Sequence, residues 1–422
     1  MRKPPKVECP KEFPQRKESD IINQVRKYEL ITPLFGGGVK AGEADPITTI
    51  RGSSIRGQLR FWWRACRGGA FADLEQMKKA EDAIWGTASK DKKVEKPASK
   101  VQVFVETTNK GVDLIHSAKD INSYAAFPLR EKNKNLKDNV KFTLSIKLNN
   151  ISKKELKNLE ALGLKDLQKE VEAALWAWET FGGVGARTRR GFGAISPEKK
   201  EVSAKDLENN IREGLKKHVI DSANWPKDVP HLSHKLEFKI LPTTFVSGKE
   251  ANNILLSRLK IFRQQRNGNQ GRSRWPEPDA IRRLTGQHLV NRDKDHKPTH
   301  PVNKFPRAAF GLPIIFHFKD RSDPQDTTLA LKNSDRFASP LILRPIRCNN
   351  GYVGLAAILE GTQQSINNKV VLKANTWNQP KDVQINLTEQ EALKITKSNG
   401  SPLLNKETNI LKAFLDFLTK QN

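Results

Sequence analysis

Residues 181–193 read FGGVGARTRRGFG, a stretch with five glycines, three arginines and no acidic residue. Glycine has no Cβ, so the backbone can turn tightly and approach another molecule closely. Arg187, Arg189 and Arg190 add fixed positive charge in a planar fork that matches phosphate oxygens. The pattern is typical of a flexible loop that clamps a phosphate backbone, and we name it the glycine–arginine loop. The alternative is a loop at a helix end whose arginines lie in solvent.

The loop does not match the familiar nucleotide-binding motifs. The chain contains no Gly-x-x-x-x-Gly-Lys-[Ser/Thr] sequence, and Gly183 and Gly185 lack the third glycine of a dinucleotide fingerprint. A nucleic-acid backbone is therefore favoured over a small nucleotide.

The charge of the chain also favours a polyanionic partner. Lys and Arg number 74 against 47 Asp and Glu, which gives a formal net charge of +27. Nucleic acid is the commonest partner of so basic a chain. No stretch approaches the roughly 18 apolar residues of a membrane span, and residues 1–6 lack the apolar core of a secretory signal. The scattered Cys9, Cys66 and Cys348 form neither a disulfide framework nor a zinc pair. We expect a cytoplasmic protein that does not bind membranes.

A second basic motif lies at residues 50–64, which read IRGSSIRGQLRFWWR. Ser53 or Ser54 is a plausible helix N-cap. Helical spacing then predicts a buried face of Ile55, Leu59, Trp62 and Cys66. The basic residues of the motif are Arg51, Arg56, Arg60 and Arg64, of which the last three form one stripe. No acid occurs between residues 50 and 72, so phosphate binding is favoured over a solvated basic face, which stays open as an alternative.

The order of predicted elements indicates an α+β fold. Strands fit residues 101–107 and 140–148, a helix fits 164–180, and the glycine–arginine loop and a further strand follow. This order resembles a ferredoxin-like or RNA-recognition-motif fold. No aromatic set matches the base-stacking residues of an ordinary RNA-recognition motif, and Trp178 is interpreted as a core residue.

The second half of the chain repeats the opening of the first. Residues 236–248, LEFKILPTTFVSG, follow the pattern of residues 28–38, YELITPLFGGG. A helix over residues 254–266 comes next, with Leu255, Leu259 and Phe262 facing inward. We therefore predict two tandem domains of one type, at residues 22–230 and 231–422. Polar insertions at residues 89–100 and 267–306 are expected to lack regular structure, and the second to be mobile unless a ligand orders it.

Five segments resemble a known family. Residues 50–60 and 182–193 resemble the paired signature of the RAMP superfamily of CRISPR–Cas proteins. Three segments of the second half resemble the first subunits of type III-B (Cmr) effector complexes: GRSRWPEPD at 271–279, FPRAAFGLP at 305–313 and RFASPLILRP at 336–345. The resemblance spans about residues 22–360.

This resemblance implies two ferredoxin-like RAMP domains in a ribonucleoprotein filament. The implied partners are guide (CRISPR) RNA, complementary target RNA and other Cmr subunits. The implied RNA contacts are Arg51, Arg56, Arg60, Gly182, Gly183, Gly185, Arg187, Arg189 and Arg190, with Arg64 on the same helix stripe. A second set comprises Arg272, Arg274 and Arg307. Phosphate contacts would hold any guide sequence, because base pairing carries the sequence information.

Catalysis is the rival interpretation. Some RAMP relatives cut RNA with a loop aspartate and a divalent ion, or with a histidine. Asp45 is the best aspartate candidate, and the histidines are His231, His234, His288, His296 and His300. None has a complete ligand set, so no metal and no cofactor is expected. Within the family the first Cmr subunit does not cut the target. We therefore expect a noncatalytic RNA-binding subunit, with a RAMP endoribonuclease and a free-standing RNA chaperone as alternatives.

Overall fold

The computed structural model describes residues 23–39, 42–87, 98–115, 122–126, 135–148, 151–198, 202–266, 271–291, 295–334, 336–362, 366 and 369–420. The strands of these residues are β1 (Asn23–Leu30), β2 (Val101–Asn109), β3 (Val112–Ile115), β4 (Asn135–Asp138), β5 (Lys141–Leu148), β6 (Ile195–Pro197), β7 (Phe238–Ile240), β8 (Ile314–Phe316), β9 (Thr327–Leu331), β10 (Leu341–Cys348), β11 (Gly351–Ile358), β12 (Val370–Ala374) and β13 (Lys381–Asp382). The helices are α1 (Gly52–Arg67), α2 (Leu74–Trp85), α3 (Ser123–Ala126), α4 (Lys153–Ala161), α5 (Leu167–Phe181), α6 (Leu207–His218), α7 (Gly248–Gln264), α8 (Glu277–Thr285), α9 (Glu389–Leu393) and α10 (Ile410–Lys420).

The mixture of helices and sheets confirms the predicted α+β class. Short 3₁₀ turns at Gly68–Ala70 and Pro306–Phe310 complete the regular structure of the described ranges. None of the helices described is long and apolar enough to cross a membrane.

A four-stranded antiparallel sheet organises the first half of the chain. Its strands lie in the order β2-β5-β1-β6. The register places Tyr28 opposite Phe142, and both side chains point into the core beneath the sheet. Helices α1 and α5 pack on this face, and the predicted inner face of α1 is buried, as Leu59 illustrates. The core prediction for α1 and for Trp178 is therefore confirmed.

A second antiparallel sheet, with the order β10-β11-β7, organises the second half. Helices α7 and α10 pack beside it. Leu255, Leu259 and Phe262 of α7 are completely buried, as their spacing predicted. The Phe262 ring lies 5.4 Å from the Phe414 ring of α10, which joins the two helices through aromatic contact.

The cores of the two halves interpenetrate. The core beneath the first sheet includes Ile342 of β10 and Leu355 of β11. The second core in turn includes Phe35 and Phe192 from the first half, whose rings are 5.5 Å apart. Hydrophobic burial therefore binds the halves together as well as stabilising each one.

The polar insertion at residues 267–306 is more ordered than predicted. It contains α8, whose Ala280 and Ile281 are fully buried in a third core with Leu329 and Leu372. That core lies beside a sheet with the order β13-β12-β9-β8. The expectation of a segment without regular structure is therefore wrong at α8, because its apolar face is too short to give a clear period. Residues 267–270, 292–294 and 88–97 lie outside the described residues.

Replacing Leu59 with alanine should lower the free energy of unfolding by about 2–5 kcal/mol, because it empties a fully buried position in α1. A matched control is Gly57→Ala in the same helix. A Cβ at Gly57 meets nothing within 4 Å, so this change should stabilise the protein by about 0.5–1 kcal/mol through helix propensity. Urea denaturation measures both effects. Equal responses of the two variants would contradict this packing of α1.

Candidate nucleic-acid interface

The glycine–arginine loop is tightly packed at its base. The Gly182 N–H donates to the Trp178 carbonyl at 2.8 Å, and the Trp178 indole donates to the Gly183 carbonyl at 3.0 Å. The Val184 N–H donates to the Gly193 carbonyl at 2.9 Å, which closes the two ends of the loop on each other. The structure thus differs from the flexible loop that we predicted.

The glycines of the loop allow close approach of neighbouring groups. A Cβ at Gly182 would lie only 2.5 Å from Trp62 Nε1 of α1. Gly193 has a φ of +59°, and a Cβ there would lie 2.0 Å from the Val184 carbonyl oxygen. These positions require glycine for packing and for backbone conformation.

Two arginines of the loop reach across to the second half of the chain. Arg189 donates a hydrogen bond to the Ser339 carbonyl, and Arg190 donates to the Leu341 carbonyl at 3.1 Å. The backbone returns the contact, because the Leu343 N–H donates to the Arg189 carbonyl at 3.1 Å. The loop is therefore fastened to the start of β10.

Arg187 lies on the other side of the loop. Its φ is +58°, an uncommon left-handed conformation for a residue with a side chain. It donates to the Ala125 carbonyl at 3.0 Å, and its guanidinium lies 5.5 Å from the centre of the Phe35 ring. Arg187 thus packs over the segment that follows β1.

The charge around the loop is poorly neutralised. Within the described part of the chain, no carboxylate pairs with Arg189, with Arg190 or with Arg263 of α7. Burial, followed by the nearby charge of Arg263, lowers the pKa of Arg190 to about 10. A phosphate group would relieve this repulsion, because an opposite charge favours the charged form of a buried group.

Helix α1 starts two or three residues earlier than predicted. Arg51 is its N-cap, with an extended backbone, and Ser53 and Ser54 lie inside the first turn. The Arg51 carbonyl accepts from the Ser54 N–H at 3.0 Å. The prediction of a serine cap is therefore wrong. The Arg51 side chain instead donates to the Gly37 carbonyl at 2.7 Å.

The two basic motifs meet at the three glycines of residues 36–38, which we call the glycine turn. A Cβ at Gly37 would lie 3.3 Å from the Cα of Gly185, and the Ala186 N–H donates to the Phe35 carbonyl at 2.6 Å. Further along α1, the Arg189 guanidinium lies 5.5 Å from the centre of the Phe61 ring. The start of α1, the glycine turn and the glycine–arginine loop are thus in direct contact.

Two members of the α1 stripe already have acidic partners. Arg60 Nε lies 2.6 Å from Glu81 Oε1, Arg64 contacts the same carboxylate, and Arg60 also lies 3.3 Å from Asp82. The sequence motif contained no acid, but Glu81 comes from α2, which we did not predict. The spacing of apolar residues after Asp73, an N-cap that accepts from the Gln76 N–H at 2.8 Å, could have revealed that helix.

Arg56 differs from its neighbours on the stripe. It is partly exposed and forms no ion pair within the described ranges. Burial of part of the side chain, together with the charge of Arg60, lowers its pKa. Of the three stripe arginines it is therefore the one whose charge an external anion would neutralise.

The second predicted arginine set divides in the same way. Arg272 pairs with Asp279, and Arg307 Nε lies 3.1 Å from the buried Glu277. Arg274 is exposed, and its side chain has no polar partner among the residues described. Arg307 also donates to the Arg263 carbonyl at 2.9 Å, which brings this one member of the set close to the glycine–arginine loop.

Asp45 lies in the loop after the glycine turn. Its Oδ1 accepts from the Thr48 N–H at 2.8 Å and from the Ile47 N–H at 3.0 Å. These hydrogen bonds, and to a smaller extent the charge of Arg51, hold the pKa of Asp45 below its usual value. The carboxylate therefore has a structural task in this turn.

The predicted histidine pair does not form a joint site. His231 Nδ1 lies 2.8 Å from the Val229 carbonyl, and the ring stacks on Trp225 at 4.1 Å. His234 Nε2 lies 3.1 Å from a different carbonyl, that of Val219. Each ring is thus held by its own backbone contact.

The histidines of the insertion have separate partners. His288 lies 3.9 Å from Asp295, and the His300 Nδ1 accepts from the Val302 N–H at 3.1 Å. His296 belongs to a cluster with Asp320 and Asp323 whose ligand atoms lie within 4.8 Å of one another.

That cluster is better explained as an ion network than as a metal site. Arg282 donates to both oxygens of Asp323, at 3.0 and 2.9 Å, and His296 Nδ1 lies 2.7 Å from Asp323 Oδ2. Burial disfavours the charge of Asp323, but the hydrogen bonds from Arg282 and His296 outweigh it and hold its pKa at about 2. A divalent cation would have to displace a buried guanidinium.

Residues 27–196 match the family model of the RAMP superfamily. A curated relative, CRISPR system Cmr subunit Cmr1-2 of Pyrococcus furiosus, is 25% identical over 174 residues, which cover 40% of this chain and 90% of the relative. These matches confirm the resemblance that the sequence motifs indicated.

Two solved structures are also similar. The crystal structure of apo Cmr1 from Pyrococcus furiosus is 15% identical, with a TM-score of 0.46, and covers 90% of this chain and 97% of that one. A cryo-EM structure of the type III-B Cmr-beta complex bound to cognate target RNA gives 12% identity and a TM-score of 0.48, and covers 94% of this chain and 99% of that one.

Replacing Asp323 with asparagine should lower the free energy of unfolding by about 3 kcal/mol at pH 7, because it leaves Arg282 buried without its main partner. The folded-state pKa is depressed, so the contribution of Asp323 is full above the unfolded value of roughly 4 and is lost as pH falls towards 2. Urea denaturation from pH 7 to pH 3 should show the difference between wild type and variant narrowing below about pH 4.

The control for this experiment is Asp326→Asn, which removes an exposed partner of His317 and should change stability by less than about 0.5 kcal/mol. If wild type is more stable than Asp323→Asn only when divalent cations are present, the cluster would instead be a metal site.

Proposed function

We propose that this chain is a noncatalytic RNA-binding subunit of a type III-B CRISPR (Cmr) ribonucleoprotein effector. In this role it holds guide RNA, complementary target RNA or both. The observation that carries the proposal is the contact between its two basic motifs, where Arg51 binds the Gly37 carbonyl and Gly37 touches Gly185. The sequence relationship to a Cmr subunit supports the assignment to such a complex.

The proposed architecture is a pair of ferredoxin-like RAMP domains at residues 22–230 and 231–422. Counted along the chain, the strands of the first sheet stand in the order 2-3-1-4, with helices after the first and third. The second sheet has the order 2-3-1, with α7 after its first strand and α10 after its third. Both orders are those expected of the β-α-β-β-α-β arrangement.

RNA would be held mainly through its phosphates. Arg56 and Arg274 are accessible and have no acidic partner among the described residues. Arg187 and Arg51 flank the glycine turn, where the backbone can approach a ligand closely. Such contacts position a strand without reading its bases, as a subunit that serves many guides requires.

Four other arginines of the predicted RNA-contact set would support the site without contacting RNA. Arg60 and Arg64 are held by Glu81, while Arg189 and Arg190 are held by backbone carbonyls of the second half. These four side chains fix the helix and the loop that carry Arg56 and Arg187.

The two alternative functions, endoribonuclease and free-standing chaperone, require different features of the chain. A RAMP endoribonuclease needs a free acid or base near the RNA, and Asp45 is engaged by two backbone amides. A free-standing RNA chaperone would use the same arginines but no partner subunits.

Co-expression with the other Cmr subunits tests the assignment: recovery in a complex with small guide RNA supports it, and recovery alone with mixed cellular RNA contradicts it. In either case we expect a cytoplasmic protein.

Arg56→Gln should weaken binding of a labelled single-stranded RNA and reduce the slope of log affinity against log salt by about 0.7, the value of one phosphate contact. The free energy of unfolding should change by less than about 0.5 kcal/mol, since Arg56 has no ion pair within the described ranges. Fluorescence anisotropy across a salt series measures the affinity.

Arg60→Gln is the matched control, one helical turn along the same stripe. It removes a partner of the buried Glu81, so it should lower stability by about 1–3 kcal/mol with a smaller effect on the salt slope. Identical salt slopes for Arg56→Gln and wild type would contradict the assignment of Arg56.

Asp45→Ala should leave target-RNA cleavage by the reconstituted Cmr complex intact, because the Asp45 carboxylate is used to hold its own turn. Gel analysis of labelled target RNA, with wild type and variant complexes side by side, provides the measurement. Loss of cleavage with unchanged assembly and RNA binding would favour the nuclease interpretation.

A further inference from the structure

Arg344 carries a fully buried charge and is not among the arginines that we propose to contact RNA. It lies on β10, is 2% exposed, and forms no ion pair with any described residue. Burial lowers its pKa to about 9, although the charge of Glu179 works in the opposite direction. An isolated buried guanidinium is costly, so its hydrogen-bond partners should explain its presence.

All three carbonyl partners of Arg344 lie in the first half of the chain, around the ends of the glycine–arginine loop. Nη1 donates to the Trp178 carbonyl at 3.0 Å and also to the Gly182 carbonyl. Nη2 donates to the Ile195 carbonyl at 2.5 Å. One guanidinium therefore joins the last turn of α5 and the start of the loop to the strand that leaves it.

The position of this charge suits the end of a helix. The Trp178 carbonyl already accepts from the Gly182 N–H, so Arg344 is its second donor, and the C-terminal end of a helix carries partial negative charge. A planar guanidinium can donate in two directions at once, which a lysine ammonium on a flexible stem cannot reproduce.

We infer that Arg344 is a positioning residue that sets the conformation of the glycine–arginine loop for RNA binding. This inference rests on the proposed function. Contacts of Ser339, Leu341 and Leu343 fasten the tip of the loop, and Arg344 fixes its two ends. Residues 339–344, at the start of β10 in the second half, thus hold the conformation of the RNA-binding loop in the first half.

The test compares Arg344→Met, Arg344→Lys and the control Arg347→Met in the full-length chain. Arg347 lies on the same strand but pairs with Glu29 at a partly exposed site, and among the described residues it forms no hydrogen bond to the loop. Three quantities are measured: amide hydrogen exchange of residues 182–193, affinity for single-stranded RNA across a salt series, and the unfolding temperature, which sets the assay temperature well below unfolding.

In Arg344→Met, exchange of the loop amides should accelerate, and RNA affinity should fall by about tenfold or more because several charge-assisted hydrogen bonds that order the loop are lost. The slope of log affinity against log salt should fall as Arg187 loses its phosphate contact. Arg344→Lys should lie between this variant and wild type. Arg347→Met should bind RNA like wild type and keep slow loop exchange.

Wild-type affinity and loop protection in folded Arg344→Met would overturn the inference. A variant that only unfolds at lower temperature, yet binds RNA normally when folded, would show a merely structural role and also overturn it. If Arg344→Met does not fold, Arg344→Lys decides by the same criteria, because it keeps the charge. If wild type binds no RNA, the proposed function fails, and hydrogen exchange still shows whether Arg344 orders the loop.

Discussion

The structure depends on buried guanidinium groups that donate hydrogen bonds to backbone carbonyls of the opposite half. Arg189 and Arg190 donate from the first half to carbonyls before and within β10, and Arg344 donates from β10 back to the first half. Buried charges without these acceptors would be strongly unfavourable, so the loop can take this conformation only while the halves are packed together. The shared cores, with Ile342 in one and Phe35 in the other, stabilise the same arrangement.

This dependence separates two kinds of arginine among the basic segments of the chain. Some, such as Arg189 and Arg344, donate their hydrogen bonds to backbone carbonyls and so stabilise the fold. Others, such as Arg56 and Arg274, have no acidic partner in the described ranges and face outward. A basic surface therefore needs more arginines than the ligand touches, because the loop that presents the outer ones must itself be fixed.

The parts of the fold that were predicted correctly depend on local periodicity. Leu59 of α1 and Leu255 of α7 could be placed in the core because helical spacing within a short window shows which side faces inward. The pairing of Arg60 could not be predicted in this way, because Glu81 comes from a separate helix. Counting acids within a motif gives only the local charge, whereas the fold brings distant carboxylates to the same stripe.

The role of the glycines was equally hidden in the sequence. A glycine-rich segment is compatible with flexibility and with dense packing, and only the surrounding side chains decide between them. At Gly182 the neighbour is the Trp62 indole, which lies far away in the sequence. The candidate site could thus be located from its composition, while the distinction between contact and support required the tertiary structure.

The four-stranded sheet β13-β12-β9-β8 affects how this chain can be aligned with shorter relatives. Its strands come from two separate segments: β8 and β9 precede the β10–β11 hairpin, and β12 and β13 follow it, with β9 and β12 paired as neighbours. Deleting either segment alone would expose an unpaired strand edge, which invites aggregation. The two segments should therefore be present or absent together, and an alignment that gaps one of them should gap the other.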